Sequence, residues 1–218
     1  MKNRIVISIV LLILFTTFIT KQKIIITKFN LEEIIIENNF ILKDIDIKKL
    51  LIPIYNQNLI FIKNKEIKKI ITQNSFIDSF DLKKKYPNTL QIKIYEKKPI
   101  AILFNKQNKF YLSEKIDLIE FKNLPNYRNL PYIFGDKDQF EILYNNLNKI
   151  NFPFDEIKKY TLFESNRWDL NTKDNSIIRL PANNYTKNLE NYLNIKNKKD
   201  FKKYKIFDYR INNQLILK

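Results

Sequence analysis

The chain has 218 residues, 44% of them apolar, a formal charge of +16, no cysteine, no histidine and one glycine, Gly135. Without imidazole or thiol it lacks the ligands of His/Cys zinc sites, the Ser-His-Asp and Cys-His catalytic groups, and any disulfide. A single glycine leaves no Gly-rich phosphate or dinucleotide loop, while the apolar content suffices for a packed core.

Ile5 to Thr20 is an uninterrupted uncharged stretch, IVISIVLLILFTTFIT. As a helix it extends roughly 24 Å against a hydrocarbon core of ~30 Å; Lys21 and Lys23, which snorkel, and Ile24, Ile25 and Ile26 make up the difference. A cleaved signal peptide would close on small residues of the A-x-A kind, whereas this run ends Thr-Thr-Phe-Ile-Thr-Lys. Residues 1–4 are therefore expected to be a short cytoplasmic tail and residues 5–23 an uncleaved transmembrane anchor. Lys2 and Arg4 before the span are offset by Lys21, Lys23 and Lys28 after it, so charge alone orients the span only weakly.

Glu33-Ile-Ile-Ile-Glu37 reads as a short strand, closed by the turn pair Asn38-Asn39. Ile47, Leu50, Leu51 and Ile54 recur at i, i+3, i+4, i+7, one face of a helix that Pro53 ends. Asn64 is expected to N-cap a second helix that buries Ile67, Ile70 and Ile71 and turns Lys65, Lys68 and Lys69 to water. Ile77 to Lys83 and Leu90 to Tyr95 read as strands joined by a hairpin turn at Pro87-Asn88, with Leu90, Ile92 and Ile94 on the buried face of the second. The order β-α-α-β-β predicts a three-stranded sheet with two helices on one face.

Beyond Lys97-Lys98-Pro99, expected to be a hinge between neighbouring units, short apolar runs alternate with turn-rich spacers. Strands are expected at Ile100–Phe104, Phe110–Leu112, Asp117–Phe121, Arg167–Leu170, Ile177–Leu180, Ile206–Arg210 and Gln214–Leu217. Helices are expected at Phe140–Ile150, with Leu143, Leu147 and Ile150 on one face, and at Thr186–Leu193, with Leu189 and Leu193. The predicted class is α+β: one N-terminal transmembrane helix, a small β-α-α-β-β unit, then a mostly antiparallel β-domain with two or more helices.

A β-α-α-β-β module just outside a single N-terminal span resembles a POTRA domain. The segment Lys85-Tyr-Pro-Asn-Thr-Leu-Gln-Ile-Lys-Ile-Tyr-Glu-Lys-Lys-Pro-Ile-Ala101 is similar to the "yPntL.I.v.Er.PiA" stretch that closes this module in the FtsQ/DivIB family of bacterial cell-division proteins. Leu130-Pro131 with Gly135, Arg167-Trp-Asp-Leu170, Ile177-Ile-Arg-Leu180 and Phe207-Asp208-Tyr209-Arg210 resemble the family's "lP.l.G", "rW.l.l", "i.L" and "iDlR" landmarks, in that order. Two turns depart from the pattern. The family's "liD..G" is Tyr111-Leu-Ser-Glu-Lys115 here, without a glycine, and its "G-N" is Asn38-Asn39; an asparagine or a relaxed turn is expected to replace the glycine. The resemblance implies a POTRA domain over 29–97 and an FtsQ-type β-domain over 98–218, with Tyr86, Pro87, Asn88, Leu90, Pro99, Trp168 and Asp208 as structural residues of its motifs.

The resemblance further implies a non-enzymatic inner-membrane scaffold without cofactor, single-pass, its N-terminus cytoplasmic and its bulk periplasmic at the division septum. Such a protein recruits FtsB- and FtsL-like partners, links early and late division proteins and controls septal peptidoglycan synthesis; further divisome members are expected at the POTRA domain. The FtsB-like strand adds to the last strand, which here is Ile211, Asn212, Asn213, Gln214, Leu215, Ile216 and Leu217. A terminal strand at a sheet edge has unpaired backbone groups able to accept another strand, and Ile211, Asn213, Leu215 and Leu217 are expected to share one face. Arg167 and Arg210 are candidates to pair with acidic partner residues, against the alternative of structural ion pairs.

The charge also admits a membrane-anchored protein that binds nucleic acid or acidic partners. Only five of the 39 basic residues are arginine, however, and lysine is spread through the chain with asparagine and isoleucine. That pattern is compositional rather than a polyanion site, so nucleic acid is not expected; that there is no small-molecule substrate is what the resemblance implies. A Ser-Lys or carboxylate-pair hydrolase is the remaining alternative, but no serine lies in a glycine-bearing turn and no acidic pair stands out.

Overall fold

The computed structural model describes residues 2–16, 27–105, 108–211 and 213–218. Helix α1 (Lys2–Thr16) has its large apolar side chains from Ile5 to Phe15 between 50% and 81% exposed. Among the described residues no helix is long and apolar enough to cross a membrane. Residues 17–23 of the expected anchor lie outside the described residues.

The first unit comprises β1 (Glu33–Glu37), α2 (Asp44–Leu50), a 3-10 turn (Ile52–Ile54), α3 (Asn64–Ile71), β2 (Ile77–Lys85) and β3 (Thr89–Glu96). Its sheet runs β1-β3-β2, β1 parallel and β2 antiparallel to the central strand. Leu90, Ile92 and Ile94 on β3 are fully buried and share a core with Ile47, Leu51, Ile67 and Ile71, as their periodicity predicts. Asn64 is not the cap of α3. Lys63 occupies that place with extended backbone, and Asn64 is already helical, so its side chain is past the position from which an N-cap reaches the first free N–H groups.

The second unit holds β4 (Pro99–Asn105), β5 (Asn108–Ser113), β6 (Leu118–Glu120), β7 (Tyr132–Phe134), α4 (Lys137–Lys149), β8 (Ile157–Leu162), β9 (Trp168–Thr172), β10 (Ile177–Arg179), α5 (Thr186–Ile195), β11 (Ile206–Asp208) and β12 (Ile216–Leu217). They form one sheet in the order β12-β11-β10-β9-β8-β7-β4-β5-β6. Five of the eight neighbouring pairs are antiparallel and three parallel. Strands β7 and β8, absent from the sequence-based expectation, fill the middle of this sheet. In β8 a bulge between Ile157 and Lys159 puts the buried residues Ile157 and Tyr160 three apart, which hides the period of two. Helix α4 is capped by Asp136, whose carboxylate accepts from the N–H of Asp138 and Gln139 at 2.9 and 3.2 Å.

The boundary at Lys97-Lys98-Pro99 is packed, which corrects the hinge expected there. Ile102, Tyr111 and Ile119 of the second sheet are buried within the first unit's core. Phe76 and Tyr111 meet edge to face at 6.3 Å. Around them Lys115 pairs with Asp78 at 2.8 Å, Lys97 with Asp117 at 3.2 Å, and the Glu120 N–H donates to the Ser75 hydroxyl at 2.9 Å. The β5–β6 hairpin thereby closes the open end of the first unit's core, and apolar contact opposes relative movement.

With one glycine in the chain, left-handed turns fall to other residues. Among the described residues, positive φ occurs at seven asparagines (Asn38, Asn56, Asn151, Asn166, Asn175, Asn184 and Asn213) and at Ile116. Asn38, at the departure before the first helix, replaces glycine as expected. Ile116 does not fit that expectation: the turn after β5 neither relaxes nor uses asparagine, and a β-branched side chain takes φ 59° while 3% exposed in the core. Gly135 has no positive φ; it is needed for space, since a Cβ there would lie 2.8 Å from Leu162 Cβ and 3.2 Å from the Trp168 ring.

Candidate functional site

The far edge of the second sheet is β12. Ile216 faces Asp208 and Leu217 faces Phe207 across the antiparallel β11–β12 pair. The pair closes with the Lys218 N–H donating to the Ile206 carbonyl at 3.1 Å and the Lys218 carbonyl accepting from Ile206 at 2.9 Å. In an antiparallel ladder bonded and non-bonded pairs alternate, so Ile216 bonds inward to Asp208 while Leu217 turns its N–H and C=O to the open edge. No further strand lies beyond it among the described residues.

This edge is shorter than expected. Residues 211–217 do not form one strand: only Ile216 and Leu217 pair, the Gln214 N–H closes a turn onto the Ile211 carbonyl at 3.2 Å, and Asn213 takes φ 59°. Left-handed backbone at Asn213 breaks the alternation that a continuous strand needs. Asn212 lies outside the described residues. Leu215 and Leu217 pack onto the helix-covered core, whereas Ile216 is 36% and Ile211 51% exposed. The apolar side chains open at this end are thus Ile211 and Ile216, not the expected set of Ile211, Asn213, Leu215 and Leu217.

Beside β12 runs a row of charge. Register places Thr161, Asp169, Arg179, Asp208 and Ile216 side by side across β8 to β12. Asp208 is buried and accepts from Arg210 at Nε (2.8 Å) and Nη2 (2.6 Å), with Arg179 at 3.6 Å. The Arg210 hydrogen bonds hold its carboxyl below the usual carboxylate range against the opposing effect of burial. Asp169 is shifted the other way: burial pushes it up more than Arg167, Arg179 and Arg210 pull it down. Arg167 stacks over the Phe163 ring at 4.3 Å, and its Nε stands 3.9 Å from Asp169. Arg210 is thus hydrogen-bonded within the chain, whereas Arg167 meets Asp169 only as a 3.9 Å ion pair, its buried Nε without a hydrogen bond.

The remaining motif residues are placed by the fold. Trp168 and Leu90 are in the cores, and Pro99 is buried at the start of β4. The Asn88 carbonyl accepts from the N–H of Glu32 and Glu33, and its side chain donates to the Glu32 carboxylate at 2.6 Å, which ties the start of β1 to the hairpin. The Tyr86–Pro87 peptide is cis, and Tyr86 is 58% exposed. Sequence reasoning missed Glu96. Its carboxylate accepts three consecutive backbone N–H bonds, from Phe40 (2.9 Å), Ile41 (2.8 Å) and Leu42 (2.8 Å). The turn-rich Asn38-Asn39 pair marks a loop with free donors, but only the fold brings an acid to it from 54–56 residues away.

Three comparisons bear on identity. The POTRA domain, FtsQ-type, matches residues 29–97. The cell division protein FtsQ of Rickettsia conorii is 28% identical over 190 residues, covering 85% of this chain and 71% of its own length, and that of Rickettsia bellii matches with the same figures. Among solved structures, the major extracytoplasmic domain of the trans isomer of the cell division protein DivIB from Geobacillus stearothermophilus aligns with TM-score 0.34 and 18% identity, over 49% of this chain and 96% of its own.

Proposed function

We propose that this chain, which belongs to the FtsQ/DivIB family of bacterial cell-division proteins, is a membrane-anchored, non-enzymatic scaffold that holds partner proteins of the division apparatus by strand addition along β12. Its partners on this reading are FtsB- and FtsL-like chains. Residues 5–23 anchor it in the inner membrane at the septum, with both folded units on the periplasmic side.

The observation that supports this best is the open edge itself: a terminal strand at the end of a nine-stranded sheet, with Leu217 presenting an unused N–H and C=O. The short strand limits the backbone contribution. A few added hydrogen bonds at a net ~0.5–1.5 kcal/mol each do not suffice against association costs. Side-chain contacts at the exposed Ile211 and Ile216 supply the remainder.

The test is binding of the full chain, in lipid nanodiscs, to the periplasmic segment of the same organism's FtsB-like protein. Leu217→Pro removes an N–H that the β11–β12 ladder does not use; Leu217→Ala matches the core packing lost with the leucine side chain, and relative to it the proline variant's affinity falls at least about tenfold. Ile216→Pro breaks the inward pair and lowers stability as well. Unchanged affinity in Leu217→Pro overturns strand addition at this edge.

A further inference from the structure

We infer that the end of the first unit where the chain arrives from its N-terminal segment is a second membrane contact, seated in the headgroup region of an anionic bilayer; this rests on the anchored reading above.

Three segments meet at that end. The Phe29 carbonyl accepts from the Leu59 N–H at 2.8 Å, Asn30 bridges to Asn58, and the Phe29 and Tyr86 rings are 6.3 Å apart. The loop after α2 and the β2–β3 hairpin therefore flank the point of entry. On them Phe61 is 78% exposed, Ile60 44% and Tyr86 58%, and Ile52, in the 3-10 turn leading into the loop, is 62%. Scattered exposed apolar residues are ordinary, but here aromatic and aliphatic side chains gather around one entry point. An exposed tyrosine near phenylalanine and isoleucine is the composition that settles at a membrane–water interface.

The charge at this end fits the same occupant. Lys28, Lys63 and Lys85 are exposed, and Lys84 reaches across to donate to the Ile62 carbonyl at 2.6 Å. The acids nearby are Glu32 and Glu33, held by hydrogen bonds from Asn88 at 2.6 Å and Thr89 at 3.2 Å. Four lysines against two carboxylates leave a positive balance, which attracts anionic headgroups within a Debye length. Only the residues from 17 to 26 separate α1 from this end, so an anchor in the bilayer keeps the patch within reach of the same surface. Two points of attachment, span and patch, fix the tilt of the first unit and hence the direction in which β12 is presented.

The chain has no cysteine, so one nitroxide label can be attached without altering anything else. We would label Phe61→Cys, and Lys199→Cys as an aqueous reference, in the full chain reconstituted into nanodiscs with anionic lipid. The expected result is a label at 61 open to oxygen and shielded at least about fivefold from a water-soluble nickel chelate relative to 199, with the shielding reduced in zwitterionic discs and at high salt. Equal chelate access at 61 and 199, in a chain that has entered the discs, overturns this inference and leaves the anchor intact. A chain that fails to enter the discs overturns the anchor and this inference with it. Dipolar broadening between labels at 61 shows that a second copy covers the patch, and overturns it too.

Discussion

Arg210 turns back along its own chain to clasp Asp208, its Nε and Nη2 donating to the two carboxylate oxygens at 2.8 and 2.6 Å while its backbone N–H donates at 3.2 Å. The pair sits one strand in from the open edge, next to Ile216. It fixes the end of β11, against which β12 is laid.

Because these bonds depress the folded-state pKa of Asp208, the stabilisation they give is complete above the unfolded value near 3.9 and is lost as pH falls through the folded value. Asp208→Asn is expected to cost about 2 kcal/mol at pH 7, with the gap from the unmodified chain closing in acid, as pH falls through the lowered folded value. Asp169, two strands away, is shifted upward, so its charged form is disfavoured by folding and stability is gained as pH falls from above the raised folded value towards the unfolded one. Asp169→Asn should cost clearly less at pH 7 than Asp208→Asn. Denaturant unfolding at pH 7 and in acid measures both; equal losses at pH 7 would contradict the opposite shifts.

Gly135→Ala should destabilise the second unit by about 1–3 kcal/mol. The added Cβ meets Leu162 Cβ at 2.8 Å, an atom bonded directly to the backbone that no rotamer change moves aside, and then the Trp168 ring at 3.2 Å. The gain from reducing the entropy of the unfolded chain, about 0.4–1 kcal/mol, is smaller than this. The melting temperature and the fluorescence of Trp168, the chain's single tryptophan, report the effect together.

At Ile116 the usual order of glycine and alanine should reverse. Both substitutions remove a buried side chain, but only glycine relieves the left-handed backbone, which costs an L-residue about 1–2 kcal/mol. Ile116→Gly is therefore expected to be more stable than Ile116→Ala by about 1 kcal/mol, measured by urea unfolding. Alanine at least as stable as glycine would mean that the turn carries no such strain.

Glu96→Gln leaves one amide oxygen to face three N–H donors, and Glu96→Ala leaves none. Losses of about 1 kcal/mol for glutamine and about 2–3 kcal/mol for alanine are expected. Faster amide exchange at Phe40, Ile41 and Leu42 distinguishes this local loss from general weakening.

By itself the sequence determined the local elements whose burial is periodic: β1, the helices of both units, and β3 with Leu90, Ile92 and Ile94 inward. Its motifs also sufficed for the family, because the turn and packing residues Pro87, Asn88, Gly135, Trp168 and Asp208 stand in a recognisable order. Tertiary structure alone decided what those elements pack against. Periodicity states which face of a strand is buried, not its neighbour, so the central places of β7 and β8 and the shared core of Phe76, Tyr111 and Ile119 could not be read. The same holds for the site. That β12 ends the sheet, that Asn213 cuts it to two residues, and that Arg210 is spent on Asp208 all depend on contacts and backbone angles set by the assembled sheet. A run of alternating apolar residues carries no record of where pairing stops.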